Sequence, residues 1–129
     1  MELAIERILQ QGVAAHREGN LEGAERLYQT ILQSQPLHPL ANHNLGVIAV
    51  SVNKTDAAVP LFKTALEANP KIEQFWVSYI DALVEVNRLS DVKQATKQWA
   101  VELSTKDKPV ESHFITLGFD AIKTSNFAH

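Results

Sequence analysis

The chain repeats itself with a period of 34 residues, and this repeat constrains its fold more than any other feature. When residues 5–38 are aligned with residues 39–72, eight positions are identical, whereas average amino-acid usage gives roughly two by chance. The identical pairs are Gly12 and Gly46, Val13 and Val47, Ala15 and Ala49, Ala24 and Ala58, Leu27 and Leu61, Thr30 and Thr64, Leu32 and Leu66, and Pro36 and Pro70. Residues 73–106 match more weakly. Such a short unit cannot bury its apolar face alone, so stacked copies are expected.

Each copy has the pattern of two helices joined by a tight turn. The apolar residues from Ala24 to Leu32 are spaced by three or four residues, which is the period of one helix face, and residues 58–66 repeat that spacing. A Gly or Asn recurs at positions 19, 53 and 87, where a chain leaving a helix favours a left-handed residue. The predicted helices span residues 3–18, 21–34, 40–52, 56–68, 73–86, 90–104 and 110–124.

A helix–turn–helix unit of this length resembles the tetratricopeptide repeat. The second copy carries the fullest match, at Leu45, Gly46, Ala58, Phe62, Ala65, Leu66 and Pro70. The third copy departs from the pattern, because Ile80 replaces a small residue, Val92 and Trp99 replace two alanines, and Ser104 replaces the proline. The resemblance implies an all-α fold, a right-handed α-solenoid of stacked antiparallel hairpins with about seven helices.

The expected organisation is one tetratricopeptide-like domain over residues 1–129. Its repeats cover about residues 5–38, 39–72 and 73–106, a capping helix covers 107–125, and residues 126–129 form a tail. A chain that ends soon after such a cap also fits a fragment of a longer protein.

Composition argues against several classes of function. Twelve Lys and Arg residues against fifteen Asp and Glu, with no basic block, do not favour nucleic-acid binding. The absence of cysteine removes disulfides and thiolate metal sites and fits a reducing compartment, so we expect a cytoplasmic protein. Because no apolar stretch reaches 18 residues and charged residues interrupt the N-terminus, we expect neither a membrane span nor a secretory signal.

The residues that could carry catalysis do not form a recognisable site. His38 and His43 lie on either side of Pro39, so they are not a helical pair of metal ligands, and no second close pair accompanies them. The chain lacks a glycine-rich phosphate loop and the common hydrolase motifs. Trp76 and Trp99 fit a packed core better than a ligand cage. We therefore expect no enzymatic activity, no metal site and no cofactor.

The resemblance implies that the first helix of each repeat lines a concave groove that binds peptides or helices. The predicted groove residues are Leu9, Val13, His16, His43, Asn44, Val47, Val50, Val77, Asp81 and Val84. The apolar members form a stripe that indicates either a contact with a partner or an extension of the core. Related arrays that clamp a chaperone's terminal carboxylate use cations and asparagine at the groove. Here only Asn44 fits that pattern, so an apolar or amphipathic partner is expected, with a basic residue near Asp81 and Glu85.

Three functions remain open at this point. The first is a non-catalytic adaptor or scaffold that binds a protein or peptide in the groove. The second is a recruitment or oligomerisation domain of a larger enzyme. It is suggested by residues 14–32, which resemble the repeat arrays that precede the catalytic domains of bacterial glycosyltransferases, sulfotransferases and methyltransferases. The third is a homodimer, in which the groove holds residues 110–124 of a second copy. The sequence does not identify the partner.

Overall fold

A computed structural model describes residues 2–104, which form six α-helices and no strands within that span. The helices are α1 (Glu2–Arg17), α2 (Leu21–Ser34), α3 (Pro39–Ser51), α4 (Thr55–Ala68), α5 (Glu73–Glu85) and α6 (Leu89–Ser104). Every boundary lies within one residue of its prediction. The all-α class is thus confirmed. The predicted seventh helix at 110–124, the cap at 107–125 and the tail at 126–129 lie outside the described residues.

The turn inside each hairpin has the same geometry in all three repeats. Gly19, Asn53 and Asn87 have backbone φ angles of 86°, 65° and 63°, which is the left-handed conformation. The amide that follows each of them donates back to a carbonyl of the preceding helix, as Lys54 N does to Ala49 O at 2.7 Å. This is the Schellman motif. It ends the first helix of each hairpin at a Gly or Asn, the residue types that adopt a positive φ at the lowest energetic cost.

Close contact between the two helices of a hairpin depends on a glycine in the first two repeats. A Cβ atom at Gly12 would lie 2.6 Å from Cε1 of Tyr28, and one at Gly46 would lie 2.5 Å from Cε1 of Phe62. Both rings are buried, and they fill the space that the missing side chains leave. The aromatic residue is thus placed to contact the following repeat as well as its own hairpin.

Neighbouring hairpins stack into one continuous core, and α6 contributes the fewest buried side chains of the six helices. Each helix packs against the next one in the chain, and α3 also meets α5. Ala95 is the one buried residue of α6, while Val92 and Trp99 are half-buried. The rings of Trp76 and Trp99 are parallel, with centroids 6.4 Å apart, and Trp76 Nε1 donates to Pro70 O at 2.8 Å. The third hairpin is therefore held mainly by side chains at one face of α6.

Candidate functional site

A small cavity opens between the first helices of the second and third repeats. Its volume is about 50 Å³, and we call it the α3–α5 cavity. It is lined by Val47, Val50, Phe62, Ser78, Asp81, Ala82 and Glu85. The walls are apolar, and the charged groups that line it are the carboxylates of Asp81 and Glu85. An occupant would therefore meet an apolar recess with a negative rim.

The structure separates the ten predicted groove residues by depth. Leu9, Val13, His16, His43, Asn44 and Val47 are buried, Val50 and Val77 are half-buried, and Asp81 and Val84 are exposed. Of these, Val47, Val50 and Asp81 line the α3–α5 cavity. The accessible part of the predicted stripe is therefore concentrated at the second and third repeats, and the residues of α1 contribute to the core.

Four residues that line the cavity lie outside the ten predicted ones: Ser78 and Glu85 of α5, and the two core residues Phe62 and Ala82. Phe62 and Ala82 belong to the packed positions of α4 and α5, and their helical period assigns them to the core. Phe62 nevertheless reaches the cavity, because Gly46 lets its ring pass between two helices. The glycine–aromatic spacing in the sequence was the available signal.

A chain of buried polar side chains runs beneath the cavity and joins three repeats. Ser78 Oγ lies 2.8 Å from His43 Nε2, and His43 Nδ1 lies 3.4 Å from Asn44 Oδ1. Asn44 Nδ2 donates to the hydroxyl of Tyr28 at 3.3 Å. The chain therefore connects α2, α3 and α5. Because buried polar groups are costly without partners, these contacts fix how the repeats align with one another.

His43 is a neutral, fully enclosed imidazole rather than a surface residue. Its ring centroid lies 5.3 Å from that of Phe62 and 5.0 Å from that of Phe75. Burial lowers the pKa of His43 to about 4, although its hydrogen bond with Asn44 acts in the opposite direction. The ring is therefore uncharged near neutral pH, which suits a structural role below the groove.

The carboxylates at the rim influence each other. Although Asp81 is exposed overall, partial removal of its carboxyl group from water raises its pKa, and the nearby charge of Glu85 raises it further. The two residues are one helical turn apart on α5, so their side chains lie on the same face. A cation bound between them would relieve this repulsion.

A second and larger cleft lies on another face, between α4 and α6. It has a volume of about 530 Å³, and its floor contains Trp76 and Tyr79. Its walls and ends carry Lys63, Glu67, Arg88, Asp91, Gln94, Gln98 and Glu102. Arg88 Nε and Asp91 Oδ2 form an ion pair of 2.8 Å at one end. With charges of both signs, the cleft offers less electrostatic selectivity than the α3–α5 cavity.

Residues 2–104 were also compared with the requirements of two other kinds of site, a metal centre and a membrane span, and they meet neither. No group of three or more His, Asp or Glu side chains in this range is arranged to hold a metal ion. Nor does this part of the chain contain a helix with the length and hydropathy needed to cross a bilayer.

The stacked hairpins define an α-helical repeat protein, and comparison with known proteins identifies the kind of repeat. Residues 9–71 match the tetratricopeptide-repeat family model. Among solved structures, MamA 41-end from Desulfovibrio magneticus RS-1 has a similar fold, with a TM-score of 0.65 and 22% identity over 94% of this chain and 69% of that one. None of the curated protein sequences matches the chain. Residues 9–71 are thus tetratricopeptide repeats, and repeats of this family generally form protein-interaction modules.

Proposed function

We propose that the chain is a non-catalytic adaptor or scaffold that binds a peptide or helix across α3 and α5. The α3–α5 cavity, with accessible valines beside it, is the observation that carries this proposal. Val50 and Val77 are half-buried, and Val84 is 52% exposed. All three lie on the face that the repeat pattern predicts to be concave. An apolar segment laid over them would remove this surface from water.

The charge of the face indicates what kind of segment it accepts. Asp81 and Glu85 place two carboxylates beside the valines, and no Lys, Arg or His among residues 2–104 lines the α3–α5 cavity. An acidic segment would meet repulsion at this rim, whereas a basic one would gain attraction. The partner is therefore an amphipathic segment with apolar side chains and at least one basic residue.

Selection from a displayed random peptide library tests this function. The selected peptides are expected to combine aliphatic with Lys or Arg residues. The variant Val77→Gln/Val84→Gln should bind them about tenfold more weakly, since removal of two partly exposed aliphatic contacts costs roughly 1–2 kcal/mol. Titration calorimetry with one selected peptide measures this change.

The matched control makes the same substitutions at exposed apolar positions of α6. Leu89→Gln/Val101→Gln alters residues that are 56% and 63% exposed. It should leave affinity unchanged if the peptide lies on α3 and α5. Equal weakening in both variants, or a library that yields no binder for the wild type, would overturn the proposed function.

A further inference from the structure

The polar atoms around the α3–α5 cavity share one hydrogen-bonding property. Asp81 and Glu85 contribute carboxylate oxygens when they are ionised, and these only accept hydrogen bonds. Ser78 lines the same cavity and is 7% exposed. A serine hydroxyl can both donate and accept a hydrogen bond. The direction of its proton therefore decides whether Ser78 presents a donor or an acceptor to the cavity.

The buried chain below the cavity sets that direction. Asn44 Nδ2 donates to Tyr28, so Oδ1 of Asn44 faces His43 as an acceptor. The neutral imidazole then carries its proton on Nδ1, and Nε2 is left to accept. The hydroxyl of Ser78 consequently donates to His43 Nε2 across 2.8 Å. Its lone pairs remain for whatever enters the cavity.

We propose that the α3–α5 cavity binds a primary ammonium group, supplied by a lysine side chain of the partner segment. This proposal rests on the function proposed above and specifies its partner. Ser78 Oγ and the two carboxylates would accept the three N–H bonds of the ammonium. The methylene stem would pack along Val47 and Val50.

Size and charge both favour an ammonium over other groups. A volume of about 50 Å³ holds a compact group but restricts a planar guanidinium, which spreads five donors over a wider fork. A carboxylate or phosphate would bring a further negative charge close to two carboxylates that cannot donate a hydrogen bond to it. Burial and the charge of Glu85 raise the pKa of Asp81, and an ammonium between the two acids would oppose that shift.

The test uses three small probes with short unbranched alkyl stems: n-butylammonium, n-butylguanidinium and butyrate. Changes in the amide chemical shifts of the protein, followed in two-dimensional NMR spectra, report where each probe binds. Butylammonium is expected to shift the amides of Val50, Ser78 and Asp81. Its affinity should be at least about fivefold higher than that of butylguanidinium, and butyrate should cause no such shifts.

Asp81→Asn separates a specific site from general attraction to an acidic protein. It removes one charge from the rim and should weaken butylammonium binding about tenfold, as expected for loss of a charge-assisted hydrogen bond. The control Glu73→Gln removes one charge from an exposed position at the start of the same helix and should have no effect. Ser78→Ala, checked for native amide dispersion, should weaken binding as well.

The outcomes distinguish this inference from the function on which it rests. If butylammonium gives no shifts at the cavity, or if Glu73→Gln weakens binding as much as Asp81→Asn, the ammonium site is refuted. Library peptides that bind α3 and α5 without lysine would also refute it, while the proposed function would stand. A library without any binder would refute that function, whatever the small probes do.

Discussion

Gly46→Ile is expected to destabilise the protein by about 3 kcal/mol or more, because the new side chain would occupy the space of the Phe62 ring. Even a Cβ atom at this position would lie 2.5 Å from Cε1 of Phe62. The ring is 2% exposed and packs between repeats, so it has little room to move aside. Urea unfolding followed by circular dichroism at 222 nm measures the loss.

The third repeat supplies a compensating change for this variant. Ile80 and Thr96 occupy the positions that Gly46 and Phe62 occupy one repeat earlier, so a large residue on the first helix is matched by a small one on the second. Gly46→Ile/Phe62→Thr should therefore recover part of the stability that Gly46→Ile loses. Ala57→Ile, at an exposed site of α4, is the control and should change stability by less than about 0.5 kcal/mol. A double variant no more stable than Gly46→Ile would contradict this packing account.

Acid is expected to weaken the fold through His43. The unfolded chain gains a proton on this residue below pH 6.5, whereas the folded chain gains it only near pH 4. Between these values the unfolded state binds more protons, so stability falls as pH is lowered. The difference in pKa corresponds to about 3 kcal/mol, which is present in full above pH 6.5 and lost as pH approaches 4.

Two measurements check the prediction for His43. NMR titration of its Cε1 proton should give a pKa about two units or more below the ordinary value. In His43→Leu/Ser78→Ala, which removes both partners of one buried hydrogen bond, stability should depend less on pH between 7 and about 5 than in the wild type. A pKa near 6.5 for His43 in the folded protein would contradict this prediction. So would the same pH dependence of stability in the wild type and the variant, because His43 would then not cause the difference in proton binding between the folded and unfolded states.

The fold was predictable because its main determinants are local and repeated. The left-handed turn residues Gly19, Asn53 and Asn87 recur at one interval, and the helix faces have a clear period. The differences at helix ends are one residue each; α3, for example, both begins and ends one residue earlier than predicted. The exchange of sizes at Ile80 and Thr96 can be read from the repeat alignment, but only the structure shows how closely Gly46 and Phe62 approach at the equivalent positions.

The candidate site was predictable in position but not in depth. Helical periodicity identifies the face on which a valine lies, yet it does not say how closely the next helix approaches. Val47 and Val84 belong to the same predicted stripe, but Val47 is 5% exposed and Val84 is 52% exposed. His43 likewise fitted a groove edge by its spacing, and it is enclosed because Ser78 of the next repeat and two aromatic rings surround it.

Mapping of a bound peptide tests the central claim most directly. Amide shift changes should be followed during titration of the wild-type chain with one library-selected peptide. The account predicts that the largest changes fall on α3 and α5, at Val50, Val77, Ser78, Asp81 and Val84. Changes centred on Lys63, Gln94 and Gln98 would place the peptide in the cleft between α4 and α6 and would contradict binding across α3 and α5.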